Sequence, residues 1–206
     1  MEYELVEERT YLRRREFLEL DPSGQTPVLV MDDGRVIPGA GPIAEFIDET
    51  CGERLGNHRL MPENPVDRVA VRRLLDWFNT KFFAEVTGYL VLEKVYKRSM
   101  TAAQGGGSPD STAVRAAQNN LQYHLQYLGY LLSHSNWLAG DRLTMADLAA
   151  AAHLSCVDFL GDLRWNDIED VKHWYATIKS RPSFRSLLAD RIAGQQPAPA
   201  YANLDF

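Results

Sequence analysis

An α+β chain in two parts is what this sequence predicts: a short domain of helix and hairpin, then a larger domain built from helices alone. Three observations carry that prediction. Two β-rich runs, Val28-Leu29-Val30-Met31 and Arg35-Val36-Ile37, flank Asp32-Asp33-Gly34, a turn signature between strands. From Pro65 onward the residues Val69, Val71, Leu74, Leu75, Phe78, Phe82, Val86, Tyr89 and Leu90 recur at helical spacing. Thr144 and Asp147 frame a capping box in front of Leu148-Ala149-Ala150-Ala151-Ala152-His153-Leu154, a helix apolar nearly all round and therefore one to be buried.

Taken in order, Tyr3-Glu4-Leu5-Val6 alternates apolar with polar and reads as a strand. Glu7 to Leu20 reads as a helix, with Tyr11, Leu12, Phe17 and Leu18 on one face. Asp21-Pro22-Ser23-Gly24 is a turn, and the hairpin follows it. Gly41-Pro42 opens a helix running to about Thr50, with proline at its first position. The first domain thus covers residues 1–55. The segment from Cys51 to Asn64 reads as a connection, and the helical domain covers residues 65–192. Lys94, Lys97 and Arg98 suit the end of its first long helix, where cations favour the macrodipole. Ser99 to Pro109 is a loop; its Gly105-Gly106-Gly107 follows no strand and precedes no Lys-Ser/Thr, so it is not read as a phosphate cradle. Asp110 or Ser111 caps a helix carrying Leu121, Leu125, Leu128, Leu131 and Leu132. In the next helix Thr144 is the N-cap, Asp147 reaches back to it, and Leu143 and Leu148 form a hydrophobic staple. Further helices are expected over Asp167 to Ser180 and from Ser183. The tail, residues 193–206, carries Pro197 and Pro199 and is expected to be extended and outside the core.

Composition narrows the function. With 206 residues, 45% hydrophobic and 24% charged, the chain suits a soluble globular protein with one core or two small ones. A net charge of -6 argues against general nucleic-acid binding. No apolar run approaches the roughly 18 residues of a membrane span, and Met1-Glu2-Tyr3-Glu4 does not read as a signal peptide. Cys51 and Cys156 lie far apart with no Cys-x-x-Cys, which fits reduced thiols in the cytoplasm. None of the five histidines forms an i, i+4 pair or lies near a cysteine at ligand spacing, so no metal site is expected; His153 reads as a core histidine.

Three segments carry a family resemblance. Trp137-Leu138-Ala139-Gly140-Asp141 with the Thr144/Asp147 box, the Gly24-Gln25-Thr26-Pro27-Val28-Leu29-Val30 turn, and Trp174-Tyr175 through Arg181-Pro182-Ser183-Phe184 resemble cytosolic glutathione transferases. The resemblance implies a thioredoxin-like N-terminal domain followed by an all-helical one. In the family a strand and helix come first, with the Tyr, Ser or Cys that acts on the glutathione thiol. Met1 stands where the second strand would begin, so the expectation is that the natural chain starts upstream, or that this domain borrows a strand or is poorly formed. The resemblance places the cysteinyl part of glutathione at Thr26, Pro27 and Val28, with Pro27 in a cis peptide. At the γ-glutamyl end it implies an acid and a hydroxyl, where this chain has Gly39 and Ala40, neither of which offers a side-chain donor or acceptor. The glutathione site is therefore expected to be degenerate, with glutathione bound weakly if at all, no other cofactor, and no catalytic residue assigned. Trp77 and Phe83, off the main apolar stripe, are the candidates for a second-substrate cleft.

Further segments, Leu5-Val6-Glu7-Glu8-Arg9-Thr10, Glu93-Lys94-Val95 and the ending Tyr201-Ala202-Asn203-Leu204-Asp205-Phe206, resemble a bacterial branch of the family that binds the tubulin-like division protein FtsZ. That implies a non-catalytic or weakly catalytic, partner-binding protein, with Tyr11, Leu204, Asp205 and Phe206 as the contact residues and a homodimer as the family's usual state. The alternative is a transferase that conjugates glutathione to an apolar electrophile.

Overall fold

The computed structural model describes residues 2–165, 168–192 and 194–204. They fall into two units, Met1–Asn57 and His58–Phe206. In the first, a single helical turn at Thr10–Leu12 is followed by α1 (Arg15–Leu20), β1 (Val28–Val30), β2 (Val36–Pro38) and α2 (Ala40–Cys51). The strands form an antiparallel hairpin with Leu29 opposite Ile37. Its turn is closed by Gly34 N–H donating to Met31 O, while Asp33 accepts from the backbone and guanidinium of Arg35.

Three expectations for this unit need correction. Residues 2–9 form no strand, and Leu5 is 83% exposed. A strand must place its backbone N–H and C=O groups on a neighbour, and among the described residues no strand lies beside this one. The helix expected from Glu7 to Leu20 is reduced to α1, because Arg13 takes a left-handed conformation (φ 46°) that closes the Thr10–Leu12 turn and interrupts helical geometry. The helix after the hairpin begins at Ala40, so Pro42 stands third rather than first in it.

In the second unit the side chain of Asn64 accepts from Val66 N–H at 2.8 Å and caps α3 (Pro65–Asp76). The helix continues as a π-helical segment, Trp77–Thr87, and ends as α4 (Gly88–Lys94). Wider turns bring backbone closer to backbone: a Cβ on Gly88 would lie 2.8 Å from the Phe83 carbonyl oxygen, so glycine is required there. The buried stripe runs Phe78, Phe82, Val86, Leu90 in steps of four. Val69 and Tyr89, expected on that stripe, are exposed.

Asp110 caps α5 (Ser111–Leu132) by accepting from Thr112 N–H at 2.8 Å. The central helix is α6 (Met145–Phe159), whose Ala146, Ala150, Ala151, Leu154 and Val157 are fully buried against α3, the π-helical segment and α7 (Glu169–Lys179). A short α8 (Pro182–Leu188) follows. Beneath it lies a buried ion pair, in which Lys179 donates to Asp158 at 2.8 Å and its ammonium sits over the rings of Tyr175 and Tyr201.

The tail is not the free extension expected. Ala198 N–H donates to the Phe159 carbonyl at 2.9 Å, and Tyr201, 3% exposed, packs edge-on against Phe159 with its hydroxyl 2.8 Å from Ser155 Oγ. A tyrosine that buries its ring while satisfying its hydroxyl gains from both ends of the side chain. Leu204 is half-buried, and Asp205 and Phe206 lie outside the described residues.

Candidate functional site

The hairpin register gathers five of the residues singled out in the sequence. The Thr26–Pro27 peptide is cis. Gly39 N–H donates to the Pro27 carbonyl at 2.9 Å, which brings Thr26, Pro27 and Val28 alongside Gly39 and Ala40 at the N-terminus of α2. In an antiparallel ladder, bonded and non-bonded pairs alternate. Pro27 with Gly39 and Met31 with Arg35 are bonded, so Val28, opposite Pro38, directs its N–H and C=O away from β2. Gly39 holds φ 92°, ψ 140°, a conformation natural to glycine, and caps α2 without a side chain. The first-turn N–H groups of a helix have no partner inside it, and Pro42 has none to offer. At Val28, Gly39, Ala40 and Gly41 the site therefore presents main-chain groups: one strand edge at Val28 and the N–H groups of Ala40 and Gly41. Such a surface can hold an extended peptide or a carboxylate weakly. Ser23, on the preceding turn, donates its hydroxyl to Asp21.

The aromatic residues of the π-helical segment divide. Trp77 is half-buried, tilted against Tyr127 with ring centroids 4.6 Å apart, and its Nε1–H donates to His124 Nδ1 at 3.1 Å. That bond leaves the ring proton of His124 on Nε2, 3.0 Å from Glu85 Oε2, and Glu85 also accepts from Lys81. Burial pushes the fully enclosed His124 below the ordinary histidine range, while Glu85 pulls it back. Glu85 itself is held low, first by Lys81 and then by His124. Phe83, 47% exposed, is the aromatic side chain that remains open to solvent. His153 lies beneath it, with Nδ1 3.1 Å from Thr87 Oγ1 and Nε2 3.3 Å from Asn79 Oδ1; burial lowers its pKa to about 4.

Asp147 is a heavily bonded carboxylate. Its Oδ2 accepts from the Thr144 N–H and hydroxyl, each at 2.9 Å, and its Oδ1 from Leu138 N–H and Trp174 Nε1–H. The box is reciprocal, and it ties the start of α6 to the preceding loop and to α7. Burial raises the Asp147 pKa, and the four donors oppose that rise.

Comparison with known proteins decides the family. Residues 1–50 match the family model for the glutathione S-transferase N-terminal domain, and residues 106–191 that for its C-terminal domain. The chain is 45% identical to FtsZ-localized protein A of Caulobacter vibrioides over 194 residues, spanning 93% of this chain and 82% of that one. This chain belongs to the glutathione S-transferase family. Among solved structures, a glutathione S-transferase of Sinorhizobium meliloti 1021 superposes with a TM-score of 0.95 at 47% identity, over 98% of this chain and 88% of that one. The structure of FzlA from C. crescentus superposes at 0.87 and 43% identity, over 98% and 87%.

Within this transferase-family chain the structure brings Thr26, Pro27, Val28, Gly39 and Ala40 to one place. Trp77 and Phe83 share the π-helical segment, but Trp77 is engaged with His124 and Tyr127. Tyr11 lies in the Thr10–Leu12 turn, half-buried. The Trp77–His124–Glu85–Lys81 chain of contacts went unread in the sequence, because its members lie up to 47 residues apart and only the i, i+4 pair Lys81/Glu85 is visible locally. Among the described residues no group of three or more His, Cys, Asp or Glu converges as a metal site, and no helix is long and apolar enough to cross a membrane.

Proposed function

We propose that this chain is a transferase-fold protein whose principal work is binding a protein partner, an FtsZ-like filament, in bacterial cell division, with little or no conjugating activity. The observation that carries the reading is the Gly39-Ala40 pair set beside Pro27 at the N-terminus of α2, where neither of the two residues offers an acid or a hydroxyl. A charge-assisted bond contributes about 1.5–3 kcal/mol, so two missing contacts weaken glutathione binding by about two to four powers of ten. Support for the partner comes from the likeness, along 93% of the chain, to a protein named for its localisation with FtsZ. The contact residues proposed are Tyr11 and the end of the tail, Leu204, Asp205 and Phe206. Tyr201 anchors the tail just before them and lowers the entropy lost on docking. A homodimer in the cytoplasm accompanies this reading.

The alternative, conjugation of glutathione to an apolar electrophile, draws on the unused main-chain edge of Val28. Two measurements separate the readings. Co-sedimentation with GTP-assembled FtsZ is expected for the intact chain and is expected to be lost when Asn203 to Phe206 are deleted with Tyr201 retained. Calorimetry with glutathione is expected to show no binding in the low micromolar range. Tight glutathione binding together with absence from the filament pellet would establish the alternative.

A further inference from the structure

Two adjoining cavities open along the N-terminal half of α5, one of about 470 Å³ and one of about 240 Å³, and both are lined by Gln118. The larger falls within the roughly 300–1,000 Å³ of ligand-binding clefts. The charge along them is one-sided. Arg98 and Arg115 line the larger and Arg164 the smaller. All three are exposed, and among the described residues none pairs with a carboxylate; Arg98 donates to the side-chain amide oxygen of Gln195 in the tail at 2.9 Å. The acids nearby are already satisfied. Asp162, almost fully buried at the junction, accepts from Lys94 at 2.6 and 2.7 Å and from Gln118 at 2.8 Å. Glu93 accepts from Lys97 and from Asp110 N–H, and Asp110 caps α5. The remaining polar wall is the Ser111 hydroxyl and four amides, Gln118, Asn119, Gln122 and Gln195.

We propose that this trough binds an acidic, extended peptide segment of a partner protein. Planar guanidinium groups recognise carboxylates through paired hydrogen bonds. Side-chain amides can both donate to and accept from a peptide backbone. The two cavities share Gln118 and hold their arginines separately, so a ligand that reaches both sets suits a chain better than a compact anion. The whole protein carries a net charge of -6, so three arginines that pair with no carboxylate among the described residues, lining two adjoining cavities, are a local reversal that attracts an acidic segment and repels a basic one. This inference stands apart from the identity of the filament partner and from the tail-end contacts proposed above.

The test is fluorescence anisotropy of the full chain with a labelled hexaglutamate peptide. Saturable binding is expected, weakening as salt rises, and weaker by about tenfold or more in the Arg98→Gln, Arg115→Gln, Arg164→Gln triple variant. The corresponding triple lysine variant should retain part of the affinity. Because the three side chains are exposed, circular dichroism and the melting temperature should not move. Absence of saturable binding, or equal affinity in the triple glutamine variant, would overturn the proposal. So would equal binding of an oligothymidylate of matched charge, which would mark an indiscriminate polyanion surface, or binding of citrate without binding of the peptide.

Discussion

The first unit buries one large apolar side chain among its described residues, Phe17, whereas the second buries a continuous cluster from Met61 through α3, the π-helical segment, α5, α6 and α7 to Phe184. Both are folded by the same kinds of local signal: a turn of the right composition, a capped helix, an apolar stripe. The difference teaches that local signals set the shape of an element, while its stability comes from what it is packed against. The hairpin of β1 and β2 has good turn chemistry, but it is a two-stranded ribbon, marginal on its own. Helix α6 has a capping box and a sequence of small residues, and nine of its residues are buried.

The largest expected effect is in hydrogen exchange. Amides of α5 and α6 should be protected more than those of β1, β2 and α2 by about three orders of magnitude or more. Equal protection would erase the contrast between the units. Next is Asp147→Ala. It removes a cap and also leaves the N–H of Leu138, the N–H of Thr144 and the Nε1–H of Trp174 without their acceptor. At about 1–3 kcal/mol for a buried unsatisfied group, urea unfolding should show a loss of about 3–5 kcal/mol. Asp33→Ala, in the exposed hairpin turn, should cost no more than about 0.5 kcal/mol. A loss near 1 kcal/mol at Asp147 would reduce its role to capping alone.

Tyr201→Ala should cost about 3 kcal/mol, as for other buried aromatic truncations, while removal of Asn203 to Phe206 leaves the unfolding midpoint nearly unchanged. If both changes were silent, the tail would not belong to the helical unit. The most gradual effect is in pH. His153 is held neutral in the folded chain, with a pKa of about 4, against roughly 6.5 when unfolded. Between those values the unfolded state binds more protons, so stability is complete above about pH 6.5 and declines as pH falls toward 4, by about 3 kcal/mol. His153→Gln should flatten that part of the profile, and an unaltered slope would place the titrating group elsewhere.

Much of the second unit was legible in the sequence because its signals are contiguous. Asn64-Pro65, Asp110 and the Leu143–Leu148 span around the box each fix a helix start within a few residues. The π-helical segment was not legible: a periodicity template of 3.6 residues fits Phe78, Phe82 and Val86 well enough to hide the wider turns, and Gly88 was the one local clue. Tyr3 to Val6 misled because alternation records the demands of two faces and says nothing about whether a neighbouring strand exists. The degenerate site was legible as residue types at Gly39 and Ala40, but that Val28 turns its backbone groups away from β2 needed the register. The docked tail and the arginine-lined trough depend on residues brought together from distant parts of the chain, such as Arg98 with Gln195 and Phe159 with Ala198, and no local pattern announces them.

The lysine beneath Tyr201 gives the chain a built-in reporter. Amine-reactive reagents such as acetic anhydride modify side chains that are free in water. Lys179 has no exposed surface, its ammonium donates to Asp158, and one of the two rings that cover it belongs to the tail. In a mass-spectrometric footprint it is therefore the silent amine while the tail is seated, and its acetylation during a labelling time course records how often residues 194–204 lift from the helices.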